Sequence, residues 1–135
     1  MHLLSQISLP AILENLPKLI GSVSRCAKDQ RLAEDKVIEI EIALEEVLVN
    51  IIKYAYRDTV GDVKLICMID DEGRFVIEIE DAGPPFDVLH ANPPDLTDKI
   101  SERKVGGLGI HLIKNLISDV QYFRKADKNI LQLIP

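Results

Sequence analysis

EIEIALEEVLVNIIKYAY, from Glu39 to Tyr56, repeats its apolar residues at helical spacing. At about 100° per residue, a helix over this stretch aligns Ile40, Leu44, Val47, Ile51 and Ala55 on one side, a stripe wide enough to line a core. Glu39, Glu46, Asn50, Lys53 and Arg57 gather on a narrow polar strip. The remaining face carries Ile38, Ile42, Val49, Ile52 and Tyr56 among Glu41 and Glu45, so the helix is apolar over most of its circumference. Such a helix is largely buried, and a polar group left unpaired inside a protein costs about 1–3 kcal/mol. Glu46 and Asn50 stand one turn apart on the strip. The carboxylate can act as a base and the amide oxygen as a donor to a hard cation such as Mg²⁺, both toward one ligand. A solvated helix edge that happens to hold a Glu and an Asn explains the pattern equally well, and the helix alone does not decide between the two.

Outward from this helix, size and charge narrow the classes. A chain of 135 residues, 47% of them hydrophobic, is long enough for one domain with a real core. Its net charge of −6 argues against a general nucleic-acid binder and fits a cytoplasmic protein whose cation sites are local. Cys26 and Cys67 are far apart in sequence and near no histidine cluster, which argues against a zinc site and a disulfide framework. No run of eighteen apolar residues occurs, and the start MHLLSQISLP lacks a basic segment and a small-residue cleavage site. Membrane spanning and secretion are therefore poor readings.

Before the central helix, His2 to Leu9 reads as an edge strand ending at Pro10. Residues 10–28 read as a helix that Pro17 bends or restarts, and residues 29–35 as a polar link. After it, Gly61-Asp62 closes the helix. Asp62 to Ile69 and Arg74 to Glu80 then form a hairpin around Asp70-Asp71-Glu72-Gly73. The first of these strands is apolar on both faces and is placed more centrally than the second. Residues 88–105, after Asp81-Ala82-Gly83-Pro84-Pro85-Phe86-Asp87, lack strong periodicity and read as a lid or binding loop. Gly106-Gly107-Leu108-Gly109 opens an amphipathic helix with Leu108, Leu112, Ile113, Leu116 and Ile117 inward. Strands near Val120 to Arg124 and Ile130 to Ile134, joined through residues 126–129, complete a largely antiparallel sheet covered by helices on one face.

Two further motifs carry chemistry. Asp81 ends a strand, and an ionised carboxylate accepts hydrogen bonds from an exocyclic amine such as that of adenine; Gly83 lets a flat base approach the backbone. Asp-x-Gly-Pro is also good turn chemistry, and taken alone the turn is the favoured reading. The glycines at 106, 107 and 109 offer free N–H groups at a helix start, a seat for phosphates, although a hinge fits them equally well. They match neither the Walker pattern nor the dinucleotide fingerprint. His90 reads as a loop residue and His111 as a helix-surface residue.

Jointly, Glu46-x3-Asn50, Asp81-x-Gly83 and Gly107-x-Gly109 resemble the N box and the two glycine boxes of the GHKL ATPases, the group that includes gyrase B and sensor histidine kinases. ALEEVLVN followed by KYAY, the PFD after Asp-x-Gly and the GGLGIHLIKNL block resemble more specifically the anti-sigma factor serine/threonine-protein kinases of bacterial partner-switching systems. The likeness spans the chain. It implies an α+β fold, a two-layer α/β sandwich of the Bergerat ATP-binding type, with a mixed, mostly antiparallel sheet and helices on one face. Residues 1–135 would form a single ATP-binding kinase domain using ATP and Mg²⁺. The resemblance implies Asn50 as metal ligand, Glu46 as general base and Asp81 on adenine. It places Lys53, Gly83, Arg103, Lys104, Gly106, Gly107, Leu108 and Gly109 around the nucleotide. It further implies a STAS-type anti-anti-sigma protein as the partner phosphorylated on serine, a sigma factor or other regulator as the molecule released, and a homodimer with no direct contact to nucleic acid or membrane.

Two departures qualify the implied activity. Kinases of this kind often carry an arginine just ahead of the glycine pair, where this chain has Val105, with Arg103 and Lys104 slightly earlier. Hydroxyl residues common in the final strand of relatives are replaced near Ile130 and Leu131. Two functions stay open: a kinase that also sequesters a regulator, and a binding module whose partner choice ATP sets with little turnover. A domain cut from a sensor histidine kinase is disfavoured, because no phosphoacceptor helix or sensor segment is present.

Overall fold

A computed structural model of the chain describes residues 1–56, 60–85 and 107–135, and only the backbone of residues 107–110. Strand β1, His2–Pro10, lies at the sheet edge and ends at a proline, which has no N–H to offer a neighbouring strand. A 3₁₀ turn over Leu13–Asn15 leads into helix α1, Leu16–Asp29. Pro17 occupies the first turn of α1, where its missing N–H would have had no helical acceptor, so it starts the helix and does not kink it.

Helix α2 spans Glu34–Asn50, beginning before the predicted start. The link to α1 is correspondingly shorter than expected, because Glu34 and Asp35 fall in the first turn of α2, where the helix dipole favours carboxylates. At its other end the expectation of an unbroken helix to Tyr56 is corrected: Ile51–Ala55 forms a π-helical turn. Ile40, Leu44 and Val47 of the main stripe are buried, Ile51 and Ala55 are half-buried, and Leu48 is buried as well. The second stripe is only partly covered, with Ile38 50% and Ile42 40% exposed.

Strands β2, Asp62–Ile69, and β3, Phe75–Asp81, pair as the predicted hairpin. Its turn is shaped by Asp70, whose Oδ1 accepts the N–H groups of Glu72 and Arg74 and whose Oδ2 accepts Arg74 Nε at 2.8 Å, while Gly73 takes a φ of +80°. Helix α3 is Gly107–Leu116, and strands β4, Asp119–Lys125, and β5, Lys128–Ile134, close the chain. The sheet order is β1-β2-β3-β5-β4, and all four pairings are antiparallel, so the expected mixed character is absent among the described residues. β3, and not β2, is the middle strand. The apolar second face of β2 has another cause: Met68 and Ile66 join Val76 and Ile134 in a small cluster away from the main core.

That main core joins Leu19 and Val23 of α1, the α2 stripe, Ile113 and Ile117, and the inward residues Leu65, Ile77, Ile79 and Leu133 of the sheet. Leu112 is corrected from an inward to an outward position, 41% exposed. With Ile113, Leu116 and Ile117 facing the core, it sits about a quarter-turn from the buried stripe. Cys26 and Cys67, distant in sequence, meet in the core as free thiols, and burial pushes the Cys67 thiol up to about 12. Among the described residues no helix is long and apolar enough to cross a membrane.

Candidate functional site

The end of α2 and the end of β3 meet. Gly83 lies so close to the π turn that a Cβ placed on it would stand 2.8 Å from Ala55 Cβ and 2.9 Å from the Ala55 carbonyl oxygen. This close approach is what demands a glycine there. Next along the chain, the Tyr56 hydroxyl accepts the Ala82 N–H at 2.7 Å and donates to the Asp62 carbonyl at 2.8 Å, tying the π turn to both β2 and β3. Burial, and then the nearby carboxylates of Asp81 and Asp62, raise its pKa, partly offset by the Ala82 hydrogen bond. Gly61 is flat against the same ring, where a Cβ would come within 2.0 Å of Cε1.

On α2, Glu46 is half-buried, and Asn50 closes the helix with its Oδ1 buried and lacking a hydrogen-bond partner among the described residues. An amide oxygen held dry and unpaired is costly unless something absent from the protein alone completes it. Lys53 is exposed on the π turn. Asp81, the last residue of β3, is 8% exposed. Its Oδ1 accepts the Gly83 N–H at 2.9 Å, so the turn reading of Asp-x-Gly is realised, and also the Asn129 amide at 3.0 Å. Its Oδ2 takes no hydrogen bond among the described residues, so one oxygen is committed to the fold and the other is available as an acceptor.

Asn129, buried on β5 directly opposite Asp81 in the register, was not singled out by the sequence, nor were Tyr122 and Arg124. The Asn129 amide also donates to the Pro84 carbonyl at 2.9 Å, while its Oδ1 accepts from the Tyr122 hydroxyl and from Arg124 Nη1 at 3.2 Å. Arg124 Nη1 further donates to the Gly83 carbonyl at 2.9 Å. The sequence carried no signal for Asn129, because residues 126–129 read as a link between strands, where an asparagine is ordinary turn chemistry.

Gly107 and Gly109 lie in the first turn of α3, whose leading N–H groups have no helical acceptor. His111 is exposed on that helix, as expected. Arg57, Arg103, Lys104, Val105, Gly106 and the expected lid over residues 88–105, with His90, lie outside the described residues, as does the side chain of Leu108. α3 packs against α2. The helix bearing Glu46 and Asn50 therefore touches α3, and its π-helical continuation touches the Asp81 turn at Gly83.

An antiparallel sheet with its helices on one face, flanked by these elements, is the architecture of a histidine kinase-like ATPase domain. The family profile of that description matches residues 9–134, and the chain belongs to this family. Among curated relatives, the serine-protein kinases RsbW of Bacillus thuringiensis and Bacillus anthracis are each 25% identical over 130 residues, covering 93% of this chain and 81% of theirs. The crystal structure of the RsbU and RsbW domains of a Mycobacterium tuberculosis protein superposes with a TM-score of 0.66 at 12% identity, covering 96% of this chain and 32% of that one. The histidine kinase domain of a blue-light-activated kinase from Erythrobacter litoralis gives 0.55 at 16% identity, covering 88% and 59%. These two solved structures share the fold.

Proposed function

We propose that the chain is an ATP-dependent serine kinase acting on a STAS-type anti-anti-sigma protein in a partner-switching system. The observation that carries the reading is the buried, unpartnered Oδ1 of Asn50 one helical turn from Glu46. The donor set fits Mg²⁺, a hard cation that prefers a single protein oxygen together with water and phosphate oxygens. When bound, the ion neutralises charge on the phosphates. Asp81 Oδ2 accepts from the exocyclic amine of adenine. Lys53, Arg103 and Lys104 are assigned to charge neutralisation of the phosphates, and the backbone N–H groups of Gly106, Gly107, Leu108 and Gly109 to binding them. Glu46 takes the proton from the partner's serine hydroxyl as its oxygen attacks the γ-phosphorus and ADP leaves.

In this reading residues 1–135 work as one ATP-binding unit in the cytoplasm, as a homodimer, and the partner's phosphorylation state governs release of a sigma factor or similar regulator. Support comes from the family membership and from the RsbW relatives, whose name is that of a serine-protein kinase. Val105 in place of an arginine ahead of the glycine pair favours a second reading, an ATP-gated protein-binding switch with little turnover. Incubation with γ-labelled ATP and the STAS partner separates the two. The kinase reading predicts label on a serine of the partner, lost in Glu46→Ala while ATP binding persists; complex formation without transfer supports the switch.

A further inference from the structure

Asp81 has a neighbour that the motifs do not account for. Asn129 is 7% exposed, and its orientation is fixed by its surroundings: Nδ2 faces Asp81 Oδ1 at 3.0 Å, the Pro84 carbonyl at 2.9 Å and the Gly83 carbonyl at 3.4 Å. Turning the amide over would set Oδ1 against three oxygens and leave the Tyr122 hydroxyl and Arg124 Nη1 facing an N–H₂ group. The side chain therefore has one orientation, and in it Asn129 always donates to the same carboxylate oxygen.

This has a chemical result for any base that meets Asp81. A carboxylate with both oxygens available pairs side by side with two adjacent donors, and guanine presents such a pair in its ring N1–H and its exocyclic N2–H₂. Adenine presents one exocyclic amine beside an unprotonated ring nitrogen, and needs one acceptor oxygen only. With Oδ1 held by Asn129 and by the Gly83 N–H, Asp81 offers Oδ2 alone.

We propose that Asn129 is a positioning residue that sets base selectivity, holding Asp81 Oδ1 so that the site accepts a 6-aminopurine such as adenine and denies guanine its two-point contact. Tyr122 and Arg124 support it by anchoring Asn129 Oδ1. The inference deepens the proposed nucleotide site and rests on Asp81 receiving the base.

The test is calorimetric titration of the full chain with ATP, GTP and inorganic tripolyphosphate, on the unmodified protein, Asn129→Leu and Asn129→Thr. The unmodified protein prefers ATP. Asn129→Leu, close in volume but with no donor, is expected to reduce the ATP-to-GTP affinity ratio by about tenfold or more and to leave tripolyphosphate affinity unchanged. Asn129→Thr, whose hydroxyl can still donate to Oδ1, retains most of the preference. An unchanged ratio in Asn129→Leu, or parallel losses for all three ligands, overturns the role and leaves Asn129 a purely structural residue. Should Asn129→Leu fail to fold, Tyr122→Phe removes only the hydroxyl that anchors the amide. Its ratio is expected to fall about two- to fivefold, and an unchanged ratio there overturns the proposal. If the unmodified protein binds no ATP, it is the nucleotide reading of the site that fails, a result distinct from any change in the ratio.

Discussion

Asp81 divides its carboxylate between the fold and the outside, and the residues around it hold that division. Gly83 is the tightest of them. In Gly83→Ala the new methyl would lie 2.8 Å from Ala55 Cβ and 2.9 Å from its carbonyl oxygen, so the variant should lose about 1–3 kcal/mol in urea denaturation. Tyr56→Phe leaves the Ala82 N–H without its acceptor and the Asp62 carbonyl without its donor, and should likewise cost about 1–3 kcal/mol. Its pH dependence has a definite sign. The folded state raises the phenol's pKa above 10.0, so the protonated form is favoured on folding. The stability this contributes is present below that value and is lost as pH climbs through the raised one. Thermal scans above pH 10.0 should therefore show an alkaline decline that is smaller in Tyr56→Phe. Glu46, Asn50, Asp81 and Gly83 were legible in the sequence because their spacings place them within one turn of helix or strand end. Asn129 was not, since its meaning depends on the β3–β5 register, which joins residues 48 positions apart.

Helices and strands were legible wherever hydrophobic period alone defines them, as in β1, the β2–β3 hairpin, α1 and the final two strands. The departures come from features that period does not encode. The π turn lies at the very end of the helix, where hydrophobic period has too few residues left to reveal it, so Ile51–Ala55 read as ordinary helix. Leu112 was placed inward because a leucine at helical spacing counts toward the stripe whether or not it sits at its edge. The link between β4 and β5 is shorter than expected because Lys128 and Asn129 already belong to the strand, leaving Ala126 and Asp127 at φ of 52° and 62°. That is the left-handed geometry in which Asn-Gly is favoured in a two-residue hairpin. Replacing the pair, Ala126→Asn with Asp127→Gly, should stabilise the chain by about 1 kcal/mol in denaturant titrations without altering ligand binding.

Two layers, with the described helices α1, α2 and α3 packed on one side of the sheet, leave α2 as the rod on which both the core and the polar strip depend. Ile40, Leu44 and Leu48 anchor it while Asn50 and the π turn carry it to the Asp81 loop. The π turn that continues α2 touches Gly83 beyond β3, and α2 also packs against α3, so segments far apart in sequence are brought into contact through α2. In a molecule of net charge −6, a triphosphate is held by local groups and not by the overall field. If Asn50 holds Mg²⁺ as proposed, Asn50→Ala should weaken Mg·ATP more than metal-free ATP in paired titrations. The most direct measurement is calorimetric titration of the chain with ATP in the presence of Mg²⁺. The account predicts one nucleotide bound per chain, with binding abolished in Asp81→Ala of intact fold. Absence of heat from the unmodified protein, or an Asp81→Ala titration that matches it, would contradict the account.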